Sequence, residues 1–174
     1  MINKTHPAPA ERDTILTAST VIDSPLENVW KTIKLPGEIV NFHPLIKRSK
    51  QLGTISNGIG AKRSCELIPM GKMIEKAVEW KEKETYTMEV IDGSLLPPYR
   101  HMSGKLNIEA VSQSQTKVTF SFRYRLKFGL IGQLIDLVMV RPQFKKAPPK
   151  YVNGLKKYVE ERSLVDTEPS DFKT

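Results

Sequence analysis

The sequence contains very little cysteine and histidine. Its 174 residues include one cysteine, Cys65, and three histidines. A single cysteine excludes an internal disulfide framework, which is typical of proteins in the reducing cytoplasm. No two of these residues have the close spacing of zinc ligands, so the sequence predicts no metal site. We expect neither a metal ion nor another cofactor.

Long apolar runs and recognisable enzyme motifs are also missing. No stretch approaches the roughly 18 consecutive apolar residues that span a bilayer, and the first residues lack the apolar core of a signal peptide. No serine nucleophile elbow is present. Gly58 and Gly60 lack the third glycine of a dinucleotide-binding motif. These absences predict a cytoplasmic protein that uses no nucleotide cofactor.

Acidic residues are outnumbered by basic ones. The chain has 27 Lys and Arg against 19 Asp and Glu, a formal net charge of +8. Such a surface attracts anionic ligands, nucleic acid or acidic lipid headgroups. The basic residues are spread over separate clusters without a nucleic-acid-binding motif, so we expect no nucleic-acid partner. A hydrophobic content of 39% and a charged content of 26% are typical of one soluble globular domain.

Strand signals dominate the middle of the sequence. The β-branched stretch 14–23 predicts a first strand. Ser24 and Pro25, with Glu27 three residues after the serine, then predict the capped start of a helix, and a second short helical turn is expected over 38–42. Turn signals separate the further predicted strands, which cover 46–52, 59–68, 73–81, 85–91, 99–111 and 117–128.

The last predicted strand alternates between apolar and polar side chains. Its apolar face, which includes Phe122 and Tyr124, is expected to be buried while the other face meets water. Two helices follow. The segment 130–140 is apolar on most sides, so we expect protein or membrane to cover it. The helix 149–162 carries one apolar stripe, and the small Gly154 on that side is expected to face the sheet or a ligand.

Two predicted strands joined by the turn 69–72 carry the charged residues Arg63 and Glu75. Alternation places Glu75 on the face opposite Ile74 and Val78. The turn predicts that Arg63 and Glu75 are diagonal neighbours within reach of a long side chain. Two interpretations stay open: Glu75 lies in solvent, or a bulge or cavity makes its side the inner one. In the second case the two charges must pair, either only to fix the sheet or also to meet a ligand.

Several short motifs stand in a characteristic order along the chain. They are Ser24-Pro25 with Val29-Trp30, Phe42-His43-Pro44, Gly60-Ala61-Lys62-Arg63, Glu75, and Leu96-Pro97-Pro98-Tyr99. With the predicted elements, they resemble the SRPBCC (START-like) superfamily and its polyketide cyclase/dehydrase-like branch. The resemblance implies an α+β helix-grip fold, in which two short helices follow strand 1 and a curved, antiparallel seven-stranded sheet wraps around a long C-terminal helix. It implies one domain over 14–162, after an N-terminal arm over 1–13 and before a flexible tail over 163–174.

Members of this superfamily enclose a cavity between the sheet and the last helix. The same order of arginine, glutamate and tyrosine occurs in bacterial proteins similar to the plant abscisic-acid receptors. In such receptors the residues that match Glu75 and Tyr99 line the ligand cavity. The gate and latch loops of the receptors have no match here, so hormone sensing is not implied. The predicted ligand-binding residues are His43, Arg63, Glu75, Tyr86, Met88, Tyr99, His101, Met102, Phe122, Tyr124 and Gly154.

Three functions stay open at this point. A binding module would hold a small hydrophobic ligand of lipid, isoprenoid or polyketide type, its polar end met by Arg63, Glu75 and Tyr99. An enzyme would be an aromatase, cyclase or dehydratase that uses a His or Glu as general base. An interaction protein would make weak contact with an anionic membrane through its basic surface and the segment 130–140. We expect the binding module, as a monomer or homodimer, because no catalytic constellation stands out.

Overall fold

The chain forms a curved sheet that wraps around a long C-terminal helix. The computed structural model describes residues 12–165. Its strands are β1 (Thr14–Ile22), β2 (Ile46–Leu52), β3 (Lys62–Leu67), β4 (Gly71–Lys81), β5 (Thr85–Gly93), β6 (Tyr99–Ala110) and β7 (Thr116–Leu126). They pair antiparallel in the order β1-β7-β6-β5-β4-β3-β2. The predicted seven-stranded helix-grip fold is confirmed.

Two of the helices lie between β1 and β2 in the sequence, and the others follow β7. They are α1 (Leu26–Ile33), a 3-10 helix (Pro36–Asn41), α2 (Gly129–Ile135), a π-helical turn (Asp136–Val140), α3 (Arg141–Phe144) and α4 (Ala147–Val165). Helix α4 therefore extends into the range predicted as a tail. The rest of that tail and nearly all of the predicted arm lie outside the described residues.

The core fills the space between the inner face of the sheet and the helices α1 and α4. Helix α4 contributes Tyr151, Leu155 and Val159, each almost fully buried, as its apolar stripe predicts. The capping box expected before α1 does not form. Pro25 takes the N-cap position, and the buried Ser24 hydroxyl has no hydrogen-bond partner, whereas the backbone carbonyl of Ser24 accepts a hydrogen bond from Thr116 Oγ1 at 2.8 Å.

The β3–β4 hairpin differs from its predicted register. Leu67 pairs with Gly71 across a three-residue turn, which brings Arg63 directly opposite Glu75 rather than diagonal to it. Gly71 begins β4. Its φ of 112° and its close approach to the carbonyl of Ser94 leave no space for a side chain, so this position requires glycine. The direct pairing places both charged side chains on the inner face of the sheet.

Gly154 does not face the sheet or a ligand. A Cβ atom at this position would lie 2.2 Å from the backbone oxygen of Phe42. The glycine therefore allows α4 to approach the loop that follows the 3-10 helix. Any larger side chain at this position would collide with that backbone. The expectation that Gly154 faces the sheet or a ligand is therefore corrected.

The segment predicted as one apolar helix over 130–140 is divided between α2 and the π-helical turn. Its apolar side chains are exposed: Ile131, Leu134 and Val138 are 69%, 62% and 66% accessible. The described part of the chain does not cover them. One of the two expected outcomes was that protein covers this segment. Residues 12–165 do not provide that cover.

Candidate functional site

A cavity lies between the inner face of the sheet and the start of α4. A volume of about 70 Å³ is open to the centres of water-sized molecules, whereas one buried water needs about 10–15 Å³ on this measure. The cavity is therefore larger than a structural-water site. Most of its wall is apolar, and its polar residues include His43, Arg63, Glu75, Tyr86 and Tyr151.

Methionine and aromatic side chains form much of the apolar wall. Met70, Met73, Met88 and Met102 all contribute. Unbranched thioether side chains adapt to differently shaped molecules more easily than branched aliphatic ones. Such a wall suits an irregular hydrophobic ligand.

The polar end of the cavity is built on the β3–β4 hairpin. Arg63 Nε donates a hydrogen bond to Glu75 Oε2 at 2.6 Å, and Arg63 Nη1 donates another to the backbone oxygen of Pro36 at 2.8 Å. The two side chains are only 5% and 7% exposed. Burial by itself lowers the pKa of Arg63, but the adjacent Glu75 carboxylate outweighs burial and holds this pKa above its ordinary value. Arg63 therefore keeps its positive charge beside the Glu75 carboxylate, which offsets it.

His43 stands at the same end of the cavity, after the 3-10 helix. Burial first, and then the positive charge of Arg63, lower the pKa of His43 to about 3. The ring is therefore neutral at physiological pH. Its Nδ1 accepts a hydrogen bond from the backbone N–H of Leu45 at 3.2 Å, which leaves the ring proton on Nε2. A group with so low a pKa is a weak general base.

Two buried tyrosines complete the polar end. The hydroxyls of Tyr86 and Tyr151 hydrogen-bond to each other, and burial raises the pKa of both. The ring of Tyr151 stacks on Phe120 with centroids 4.1 Å apart. Nearby, burial raises the pKa of Cys65 to about 11, so its thiol stays protonated and unreactive. The polar end therefore offers neutral hydrogen-bonding groups beside one compensated ion pair.

The structure brings most of the predicted site residues together around this cavity. Those that line it are His43, Arg63, Glu75, Tyr86, Met88, Met102 and Phe122. Tyr151 lines it too but was absent from the predicted set. Its place on the apolar stripe of the last helix was visible in the sequence, but the crossing point of that helix over the sheet was not.

Tyr99, His101 and Tyr124 do not line the cavity. Tyr124 is fully buried and donates a hydrogen bond to Asp136 Oδ1 at 2.5 Å. The ring of Tyr99 packs against Tyr124 and stacks on Phe144, so it lies one layer behind the cavity wall.

His101, the third of these residues, faces away from the cavity because it directly precedes the cavity-lining Met102 on β6. A bulge between Tyr99 and His101 in the pairing of β6 with β7 brings Tyr99 to the same face as Met102, and His101 Nδ1 lies 3.4 Å from Glu89 Oε1. With Gly154, these three residues leave the candidate site.

Comparison with known proteins agrees with this architecture. The family described as polyketide cyclase/dehydrase and lipid transport matches residues 13–160. The Zhui aromatase/cyclase from Streptomyces sp. R1128 has a TM-score of 0.76 at 11% identity, covering 91% of this chain and 100% of that chain. A norcoclaurine synthase mutant from Thalictrum flavum, in complex with a transition-state analogue, has a TM-score of 0.67 at 12% identity, with coverages of 90% and 99%.

A START superfamily protein from Mycobacterium smegmatis is also similar, with a TM-score of 0.64 at 12% identity and coverages of 88% and 99%. No curated protein matches the chain significantly. Identities this low show a shared fold and leave the chemistry of each protein its own. The match over residues 13–160 spans the domain, and the chain therefore belongs to the polyketide cyclase/dehydrase and lipid transport family.

Proposed function

We propose that the protein binds a small hydrophobic molecule in this cavity. The observation that carries the proposal is the combination of an apolar, methionine-rich wall with one buried polar end. Cavities of this composition are typical of ligand sites, in which a few polar groups fix orientation and apolar surface provides affinity. The lone buried thiol of Cys65 suits a reducing compartment, so we place this binding in the cytoplasm.

The polar end favours a ligand with a neutral polar group. Arg63 is already neutralised by Glu75, so a ligand carboxylate would meet one negative charge together with one positive charge. Neutral His43 and the tyrosine hydroxyls can instead exchange hydrogen bonds with an alcohol or a ketone. Lipids, isoprenoids and polyketides that carry a hydroxyl or carbonyl group fit this description. In this proposal Tyr86 and Tyr151 contact the polar end of the ligand, which is the role predicted for Tyr99.

Acid–base catalysis in this cavity is less well supported. Relatives in fold include an aromatase/cyclase and a norcoclaurine synthase. A general base works best when its pKa is near the working pH. The pKa of His43 is about 3, and the Glu75 carboxylate is bonded to Arg63. We therefore favour binding over cyclisation or dehydration.

Blocking the cavity should weaken binding of a model ligand. 1-Naphthol is a suitable probe because it is apolar and carries one hydroxyl group. Ala147 lines the cavity at the start of α4, so Ala147→Phe should lower the affinity for 1-naphthol at least tenfold in a fluorescence titration. Lys150→Phe, the same side chain at an exposed position of α4, should bind like the wild type. Equal affinities of all three proteins would contradict the proposed site.

A further inference from the structure

The segment 129–144 presents its apolar side chains to solvent. The side chains of Leu130, Ile131, Leu134, Leu137, Val138 and Met139 are all more than half exposed. Phe128, immediately before the segment, is 67% exposed. Exposed apolar residues scattered singly are ordinary, but a contiguous group of this kind marks an interaction surface.

The opposite side of this segment faces the sheet and carries its acidic residue. Gly132, Asp136 and Val140 are buried at a spacing of four residues. The Asp136 carboxylate accepts hydrogen bonds from Thr14 Oγ1 at 2.7 Å and from Arg141 Nη2 at 2.7 Å, in addition to the one from Tyr124.

These contacts fix the rotation of the segment. A Cβ atom at Gly132 would lie 2.1 Å from the backbone oxygen of Lys127, so the helix rests directly on backbone. Turning the apolar side inward would bury that side only by breaking the bonds to Asp136. The fold therefore holds the apolar surface outward on a rigid support, and a π-helical turn of this kind is frequent at functional sites.

The charges around the apolar surface are positive. Lys127, Lys145, Lys146 and Lys150 are exposed near its two ends. Between residues 127 and 150 the one acidic side chain is the buried Asp136. A twofold contact with a second copy would place like patches together and bring lysines close to lysines. Anionic lipid headgroups would neutralise the same lysines.

We propose that the segment 129–144 docks on the surface of an anionic membrane. Apolar residues exposed beside lysines are the composition of helices that lie in the membrane interface, with the apolar face among the acyl chains and the cations at the headgroups. Within residues 12–165 no helix is long and apolar enough to cross a bilayer.

Docking would bring the binding cavity to the bilayer. Phe144 at the end of this segment and Ala147 just beyond it both line the cavity. A hydrophobic molecule could then pass between membrane and cavity with little exposure to water. This second part rests on the proposed function, whereas docking itself does not.

Vesicle flotation tests the docking step. The wild type should float with phosphatidylcholine vesicles that contain phosphatidylserine, and the bound fraction should fall several-fold in high salt because headgroup attraction is screened. The double variant Leu134→Gln/Val138→Gln should lose at least nine-tenths of the bound fraction. Ile59→Gln/Val111→Gln makes the same change at two exposed positions elsewhere and should float like the wild type.

The following results would overturn the docking proposal, and a ligand titration separates its failure from a failure of the ligand proposal. Absence of flotation with the phosphatidylserine-containing vesicles, or equal flotation of both double variants, overturns it. A concentration-dependent dimer that Leu134→Gln/Val138→Gln abolishes, without vesicle binding, assigns the surface to a second copy and also overturns it. The affinity for 1-naphthol in the absence of vesicles should be unchanged in Leu134→Gln/Val138→Gln, so failure of docking leaves the ligand proposal standing.

Discussion

Glu75→Ala should lower the free energy of unfolding by about 3–5 kcal/mol, because it leaves Arg63 buried without a counter-charge. The two groups are 2.6 Å apart and almost fully buried, so the remaining guanidinium would keep its charge in a poorly solvated position. Chemical denaturation of wild type and variant measures the difference. The same variant should bind 1-naphthol more weakly, because the polar end of the cavity loses its order.

A neighbouring ion pair provides the matched control. Glu66 lies on the same strand as Arg63 and is 4.0 Å from the exposed Arg48. Glu66→Ala should cost less than about 1 kcal/mol, the usual value for an exposed pair. A Glu75→Ala protein that unfolds like Glu66→Ala would show that the buried pair does not stabilise the sheet.

A double variant separates the structural role of the pair from its role in binding. Arg63→Met with Glu75→Leu replaces both charges by apolar groups, which is often neutral for stability. We expect most of the lost stability to return. Binding of 1-naphthol should also recover in large part, because His43 and the tyrosine hydroxyls still line the cavity and can hydrogen-bond the ligand hydroxyl. Loss of the preference for 1-naphthol over naphthalene would mean that the pair itself holds the ligand hydroxyl.

Asp136→Asn should lower the free energy of unfolding by about 1.5–3 kcal/mol, the usual contribution of a hydrogen bond to a charged group. Asp136 is 4% exposed and joins Tyr124, Thr14 and Arg141. The exposed Asp92→Asn is the control and should unfold like the wild type. Equal stability of the two variants would show that Asp136 does not anchor the segment 129–144.

The effect of Asp136→Asn should also depend on pH. Burial by itself raises the pKa of Asp136, but hydrogen bonds from Tyr124, Thr14 and Arg141 outweigh burial and hold this pKa below its ordinary value. A carboxyl group with a depressed pKa in the folded state stabilises the fold above its unfolded pKa of about 3.9. The stability difference between wild type and Asp136→Asn should therefore be constant above that pH and shrink as the pH falls further.

The sequence was most informative where side-chain periodicity decides the outcome. Strand β7 alternates between apolar and polar residues, and it buries Val118 and Tyr124 as predicted. The charged residues Arg63 and Glu75 could be identified as a pair because each shares one face of its strand with small or apolar residues. Whether Glu75 faces inward could not be decided, since that depends on the cavity formed by distant elements.

The remaining errors arise from single-residue changes in register and from tertiary packing. The three-residue turn before Gly71 changes which residue lies opposite Glu75, and the bulge between Tyr99 and His101 brings Tyr99 to the same face as Met102. Alternation alone cannot locate such shifts. The segment 129–144 is apolar in sequence, but its outward orientation follows from the burial of Asp136, which no local pattern indicates.

Labelled methionine methyl groups test the central claim most directly. Met70, Met73, Met88 and Met102 line the cavity, whereas Met139 is 59% exposed on the segment 129–144. In a titration with 1-naphthol followed by methyl NMR, the four cavity signals should shift together along one binding curve while the Met139 signal stays in place. Cavity signals that stay unchanged at saturating 1-naphthol, or a shift confined to Met139, would contradict the binding of a hydrophobic ligand between the sheet and α4.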